Sequence, residues 1–398
     1  MARRPLVWLE AAAAVVTAAA VVLLVGFTWQ ASQPTFPPPP AAHHRRRPPP
    51  RAHPELYPPA APLLDLPAVS LVANSPACGT GPLLLVLLVI SHPAHAPLRD
   101  AHRTHASWRA LDALGVRRVF FLADGSRRGQ PEYPTLPTAA VLEESAAHRD
   151  LVVADFQEHY RNLTYKHALA LSWPARFCPH ARFILKMDDD IMVDVWGVVE
   201  LLQEGLAVNR LGTVVARGSG TLSLDPQGTW AAGLVQQGLR PQRGSGKWQV
   251  TGAEYPGNVY PTFLGGWAYL TTQPAAAAIT RAAAILPPFW IDDVHLTGTV
   301  AGAAGVPRYA LNEHYTLLRA AATCCLEGPL RSVRRPGGPA AALCGLLVAP
   351  SDRNVTVLEA WLRAAWACHT RGECPVPRPG SCPPTRPHYA VGTVIPLA

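Results

Sequence analysis

The 398-residue chain carries little charge: 16% of its residues are Asp, Glu, Lys or Arg, which is low for a coiled coil. Its eight cysteines include no CxxC pair, which argues against zinc. There is no GxxxxGK[ST] phosphate loop, no internal repeat, and no Ser/His/Asp motif in a recognised context. Long apolar runs are nearly absent too. Only one occurs despite a mean hydropathy of +0.09, and one run excludes a multi-span transporter. The balance is basic, 35 Lys and Arg against 27 Asp and Glu, a formal charge of +8. Yet the densest basic run, Arg45–Arg47 followed by Arg51, sits among prolines. No Cys/His finger spacing or aromatic-interleaved basic sheet accompanies it, so no nucleic-acid partner is expected.

The one apolar run, Ala11–Phe27, reaches membrane-spanning length with its flanks Trp8, Leu9 and Trp29. Arg3 and Arg4 before it favour a cytoplasmic N-terminus, and a tryptophan at each edge suits the headgroup interfaces. A signal anchor over residues 9–29 is therefore expected, behind a short tail of residues 1–8, in preference to a cleaved signal peptide. Prolines then crowd residues 34–62. Proline fixes φ and removes the backbone donor, so residues 30–80 are expected to form an extended stem. Tail, anchor, stem and globular body together describe a single-pass type II protein facing a lumen. In such an oxidising compartment the eight cysteines read as disulfides, with connectivity left open. The sequons at Asn162 and Asn354 agree with that location.

From Leu83 short apolar runs alternate with amphipathic stretches. Leu83–Ile90, Arg117–Leu122, Leu151–Ala154 and Arg182–Lys186 read as strands, and Tyr160–Trp173 and Asp194–Leu206 as helices. This alternation predicts an α/β fold with a mostly parallel, Rossmann-like sheet. Ligands bind beyond the carboxyl ends of such strands, which places Ser91, Asp155 and the acids after Lys186 along one edge.

Those acids are Asp188, Asp189 and Asp190. Three adjacent carboxylates repel one another and call for a counter-charge. With alternate residues on one side, Asp188 and Asp190 share a face while Asp189 points elsewhere. Their hard oxygens suit Mg²⁺ or Mn²⁺; a solvated turn capping the next helix is the alternative. A second pair, Asp292-Asp293, follows Pro287–Ile291 and reads either as a helix N-terminus or as a general base against an apolar wall. Gly265-Gly266-Trp267 offers a close backbone approach beside an indole, though a bulge or turn would use the same glycines.

Four ordered blocks together resemble the β-1,3-galactosyltransferase and β-1,3-N-acetylglucosaminyltransferase family of Golgi enzymes. Asp155–Lys166 is similar to its DFxDxYxNLTxK block, and Phe183–Asp190 to FxxKxDDD. Lys247–Leu270 resembles the KW…YP…YPxYxxGxGYxLS stretch, and Ile291–Gly298 the (E/D)DVxxG block. The resemblance implies a glycosyltransferase A fold in a catalytic domain at residues 81–365, followed by a Cys/Pro-rich tail at 366–398. It implies an inverting enzyme on the Golgi membrane that uses a UDP-sugar donor with Mn²⁺ or Mg²⁺. The acceptor would be a glycan on a glycoprotein, glycolipid or proteoglycan. The expected product is a β-1,3 linkage from UDP-galactose, with UDP-N-acetylglucosamine as the alternative donor and a non-catalytic luminal relative as the rival of another class. Asp188 and Asp190 would hold the metal. Asp188, Asp189, Gly265, Gly266 and Trp267 would line the donor site. Asp293 would be the base, with Asp292 in reserve. The family's early arginine-rich block is altered, with Ser107 before Trp108 and His105 at an arginine position. Its late metal-binding histidine is absent from Leu347–Pro350, leaving His314 or water to fill the shell.

Overall fold

The computed structural model describes residues 69–123, 138–215, 221–332, 343–378 and 380–383. The expected tail, anchor and most of the stem lie outside them. Among the described residues no helix is long and apolar enough to cross a membrane.

The core is an eight-stranded sheet of β1 (Leu71–Ala73), β2 (Leu83–Ile90), β3 (Val116–Ala123), β4 (Leu151–Ala154), β5 (Ala181–Asp188), β6 (Ala231–Gln236), β7 (Phe263–Thr272) and β8 (Arg308–Ala310). Its order is β1-β4-β3-β2-β5-β7-β6-β8. The central block β4-β3-β2-β5 is parallel throughout. β1 is antiparallel to β4, β7 is antiparallel to both β5 and β6, and β8 returns parallel to β6. The sheet is thus a parallel centre with antiparallel additions on both flanks.

Alternation decides which residues face which layer. Leu85, Leu87 and Val89 of β2 join Phe183, Leu185 and Met187 of β5 on one face. That face is covered by helices α1 (Ala96–His105), α3 (Val195–Glu204) and α5 (Val355–Arg371). Val86, Leu88 and Ile90 turn to the other face with Ile184 and Tyr269, under helices α2 (Leu163–Phe177) and α4 (Gln273–Ala283). Both faces being covered explains why β2 is apolar at every position.

The expected elements recur with shifted ends. The helix foreseen from Tyr160 opens as a 3₁₀ turn, Tyr160–Asn162, and continues as α2 to Phe177, past Pro174. β5 runs two residues beyond Lys186, so Asp188 belongs to the strand. Leu71–Ala73 pairs with β4, and Cys78 is bonded to Cys178, so the last residues before the predicted catalytic domain are part of the sheet layer. Three further disulfides, Cys324–Cys382, Cys325–Cys344 and Cys368–Cys374, account for the remaining cysteines. α5 continues across residue 366, and Glu373–Pro375 pairs with Leu330–Ser332.

Candidate active site

The three acids after β5 part company. The amide of Asp189 donates to the carbonyl of Ile90 (3.0 Å), which ties the end of β5 to the end of β2. The Asp189 side chain is buried; it accepts from Ser91 Oγ (2.7 Å) and meets His95 Nδ1 (2.9 Å). These bonds hold its carboxyl below the usual range despite the upward pull of burial. Asp189 thus braces the Ser91–His95 turn that leads into α1.

Asp188 and Lys186 lie two apart on β5, hence on the same side. Lys186 Nζ donates to Asp188 Oδ1 (2.7 Å) and to the carbonyl of Gly266 on β7. Burial pushes Asp188 up to about 7; Lys186 opposes that, and Asp292 and Asp190 reinforce it. Asp190 is also raised, by burial and by Asp189. Its backbone is anchored from another direction: the Asp190 carbonyl accepts from both the amide (2.9 Å) and the hydroxyl (2.7 Å) of Ser351. Ser351 follows Val348–Pro350, a short strand antiparallel to Ile191–Val193.

β7 brings the second acid pair to this edge. Its pairing with β6 slips between Gly233 and Val235, so that Gly265–Ala268 bulges out of register. Within the bulge the Gly266 amide donates to Asp293 Oδ2 (3.0 Å), while the Val294 amide donates to Asp293 Oδ1 (2.8 Å). A Cβ on Gly266 would sit 3.1 Å from the Asp293 Cβ, so any larger residue would press the acid a few tenths of an ångström away. Gly265 lies over Leu234, and Trp267 packs against the core beneath the sheet.

Asp292 takes a different partner. His167 Nδ1 on α2 lies 2.8 Å from Asp292 Oδ2, and the other ring nitrogen meets the hydroxyl of Tyr269. Burial raises Asp292, but the His167 bond and the Lys186 charge outweigh it and carry the carboxyl below its usual range. Asp293 goes the other way, raised by burial and by the neighbouring Asp292 charge. Two adjacent carboxyls are thereby given different affinities for a proton, as general acid–base chemistry requires.

The structure therefore brings together Asp188, Asp292 and Asp293 around Lys186, with Asp190 alongside. It turns Asp189 into the turn behind them, and leaves Trp267 half-buried against the core. Asp155 is exposed at the end of β4. His314 faces the Gly345 carbonyl (3.2 Å). Lys166 joins Glu158 to the Ser91 carbonyl (2.8 Å), next to the Asp189 bonds. Arg99 and Arg103 of the early block are held by Glu144, and Arg103 also by Asp150. His167 and its link to Asp292 were not foreseen. No local pattern marks it, because its partner lies 125 residues away.

Among the described residues no group of three or more His, Cys, Asp or Glu side chains is arranged to hold a metal ion. Asp188 and Asp190 nonetheless offer hard oxygens at one strand end, and among the described residues Lys186 is the one cation hydrogen-bonded to Asp188. That donor chemistry fits Mg²⁺ or Mn²⁺, which commonly complete their shells with water and phosphate oxygens.

The family profile described as Galactosyltransferase matches residues 129–312, the span that holds both acid pairs. The chain is 33% identical over 282 residues to beta-1,3-galactosyltransferase 4 of Mus musculus, covering 66% of this chain and 72% of that one. The chain belongs to this galactosyltransferase family. It is also 31% identical over 226 residues to the acetylgalactosaminyl-O-glycosyl-glycoprotein beta-1,3-N-acetylglucosaminyltransferase of Homo sapiens, covering 56% and 54% of the two chains. The lactosylceramide 1,3-N-acetyl-beta-D-glucosaminyltransferase A of Xenopus laevis is 30% identical over 248 residues, covering 60% and 59%. The mixed α/β architecture with its parallel centre fits such an enzyme.

Proposed function

We propose that the protein transfers galactose from UDP-galactose to the 3-hydroxyl of an acceptor sugar, with inversion, forming a β-1,3 linkage. The observation that carries this reading is Asp293, held by two backbone amides of the β7 bulge and the following helix, beside the acids at the end of β5. The acceptor 3-oxygen forms a bond to the anomeric carbon as the bond to the diphosphate breaks. The acceptor proton passes to Asp293, and UDP departs as the anion. Asp292, fixed by His167, stays ionised and raises the proton affinity of its neighbour. Asp188 and Asp190 would hold Mn²⁺ or Mg²⁺, which when bound supplies positive charge against the leaving diphosphate. Lys186 orients Asp188 and, through the Gly266 carbonyl, fixes the strand that carries the Asp293 contact.

The family has both galactosyl- and N-acetylglucosaminyltransferases among the relatives matched here, so UDP-N-acetylglucosamine is the second donor to test. The apolar run over residues 9–29 and the four disulfides support a type II protein of the Golgi membrane with its catalytic domain in the lumen. The test uses the full-length protein in detergent with each donor, a panel of simple acceptors, and Mn²⁺ with and without chelator. Transfer from one donor, lost on chelation and in Asp190→Ala, supports the reading. Asp293→Asn should lower turnover by ~10²–10⁴-fold while UDP binding persists. Normal turnover in Asp293→Asn would remove the assigned base.

A further inference from the structure

The stretch between β6 and β7, residues 237–262, forms no strand of the central sheet, yet it is not loosely held. Arg243 donates to four carbonyls across it: Val250 (3.1 Å), Thr251 (2.9 Å), Tyr255 (2.9 Å) and Gly257 (2.7 Å). Beneath it Val250, Tyr260, Phe263, Phe289 and Val294 form a small core of their own, with Tyr255 and Trp290 packed on it. The loop is therefore a built element, seated on the same segment that leads into Asp292 and Asp293.

Its outer side presents what a packed core would hide. Trp248 is 55% exposed and Tyr160 is 37% exposed. The Trp248 indole N–H donates to the Tyr160 hydroxyl (2.7 Å), so the polar edge of the indole is satisfied while much of its ring stays exposed. Lys247 Nζ lies 4.5 Å from the Tyr160 ring centroid and 5.5 Å from that of Trp248; among the described residues no carboxylate is paired with it. Tyr160 in turn stands edge-on to Trp290 at 6.0 Å, and Trp290 precedes Asp292 by two residues. Arg161 lies over the Trp290 ring at 4.5 Å and is ion-paired with Glu254 of the loop. The Asp292, Asp293 and Asp188 charges all reach Tyr160, whose hydroxyl burial and those acids push up to about 12.

We propose that Tyr160, Lys247 and Trp248 form the acceptor subsite, resting on the transfer reading above. An exposed aromatic face matches the apolar C–H face of a pyranose, and its place beside the acid pair is where an acceptor must lie to present a hydroxyl to Asp293. The Lys247 ammonium supplies donors to the sugar's hydroxyl or ring oxygens. The Tyr160–Trp248 bond sets the angle of the indole before the sugar arrives, which spares the ordering cost of binding. This subsite takes a hexopyranose, and it discriminates acceptors rather than donors.

The experiment measures transfer by the full-length protein to methyl β-galactoside and methyl β-N-acetylglucosaminide, with separate Michaelis constants for donor and acceptor. UDP binding is followed by calorimetry and folding by thermal melting. Trp248→Ala should raise the acceptor KM roughly tenfold while the donor KM, UDP affinity and melting temperature stay near wild type. Trp248→Phe should recover much of the acceptor affinity, because the ring face returns without the N–H. Tyr160→Phe should cost no more than Trp248→Phe, because the full indole remains and only its tether is lost. An unchanged acceptor KM in Trp248→Ala overturns the proposal, as does an equal rise in donor KM or a melting change that accounts for the loss. Wild-type protein that binds UDP but transfers to neither sugar would overturn the transfer reading itself, and this subsite with it.

Discussion

At the scale of single residues, the site depends on backbone approaching side chain. Gly266 carries no positive φ requirement; its backbone is needed close to Asp293, and a methyl group there meets the Asp293 Cβ at 3.1 Å. A contact that tight is relieved only by moving the acid or the bulge. Gly266→Ala is therefore expected to lower turnover by roughly tenfold through a displaced Asp293, with little change in melting temperature because the strand around it is intact. Single-turnover kinetics beside a thermal melt would check it. A mutant of normal rate would mean that Asp293 has slack to absorb the shift. His167 offers a complementary case. Its ring is fully buried between Asp292 and Tyr269, and burial with the nearby Lys186 charge lowers it to about 4. A neutral ring there orients Asp292 by a hydrogen bond rather than by a charge.

At the scale of elements, one hydroxyl couples the acid-bearing helix to the strand it faces. Thr297 lies in the π-helical turn Val294–Val300. Its Oγ1 accepts from the Leu264 amide (2.9 Å) and lies within donating distance of the carbonyls of Asp293 (2.7 Å) and Leu264 (2.9 Å). Thr297→Val keeps the shape but leaves the buried Leu264 amide without its acceptor, which costs about 1–3 kcal/mol. Urea unfolding should show that loss, and Thr297→Ser should restore most of it. An unchanged midpoint in the valine variant would show that the strand amide finds another acceptor. Elements of this kind also mark how far the sequence could be read. The apolar runs of β2 and β5 and the acids that end β5 were legible, because burial on both faces leaves a continuous signal. The reach of Asp293 to Gly266 was not, since it depends on a slip in β6–β7 pairing that no local pattern announces. His167 and Asp292 were both visible as residues, but their contact is a product of the packing of α2 against the turn after Trp290. The loop that carries Trp248 was legible only as a motif, and its small core only in the structure.

At the scale of the whole molecule, the C-terminal segment is attached to the body by chemistry as well as by packing. Trp361, Leu358 and Leu362 of α5 are buried in the core below β2 and β5. Cys368–Cys374 closes the turn at the end of that helix, and Cys324–Cys382 ties the segment after it to the helix Arg319–Leu326. Next to Cys368 on α5 is His369, whose Nε2 lies 2.8 Å from Asp194 Oδ2 and whose Nδ1 lies 3.0 Å from Glu200 Oε1. Asp194 also caps α3 through the Gly197 amide (3.0 Å), so the imidazole joins α5 to the start of α3, the helix that leaves the acid-bearing edge. Burial alone would lower His369, but the bonds and charges of the two carboxylates outweigh it and raise it to about 9. A folded value above the unfolded value of about 6.5 means that protonation favours the folded state. The contribution is fully present below about pH 6.5, declines between there and about 9, and is gone above. The difference of 9 − 6.5 corresponds to about 3 kcal/mol at its fullest. His369→Gln removes the titrating group, so its stability deficit against wild type should be largest near pH 6 and should shrink as pH rises through about 9. Urea midpoints of both proteins across pH 6 to 10, with disulfides intact, measure this directly. A deficit that stays constant over that range would mean that His369 joins the two helices as a neutral hydrogen-bonding ring, and that the attachment of the C-terminal helix does not depend on its charge.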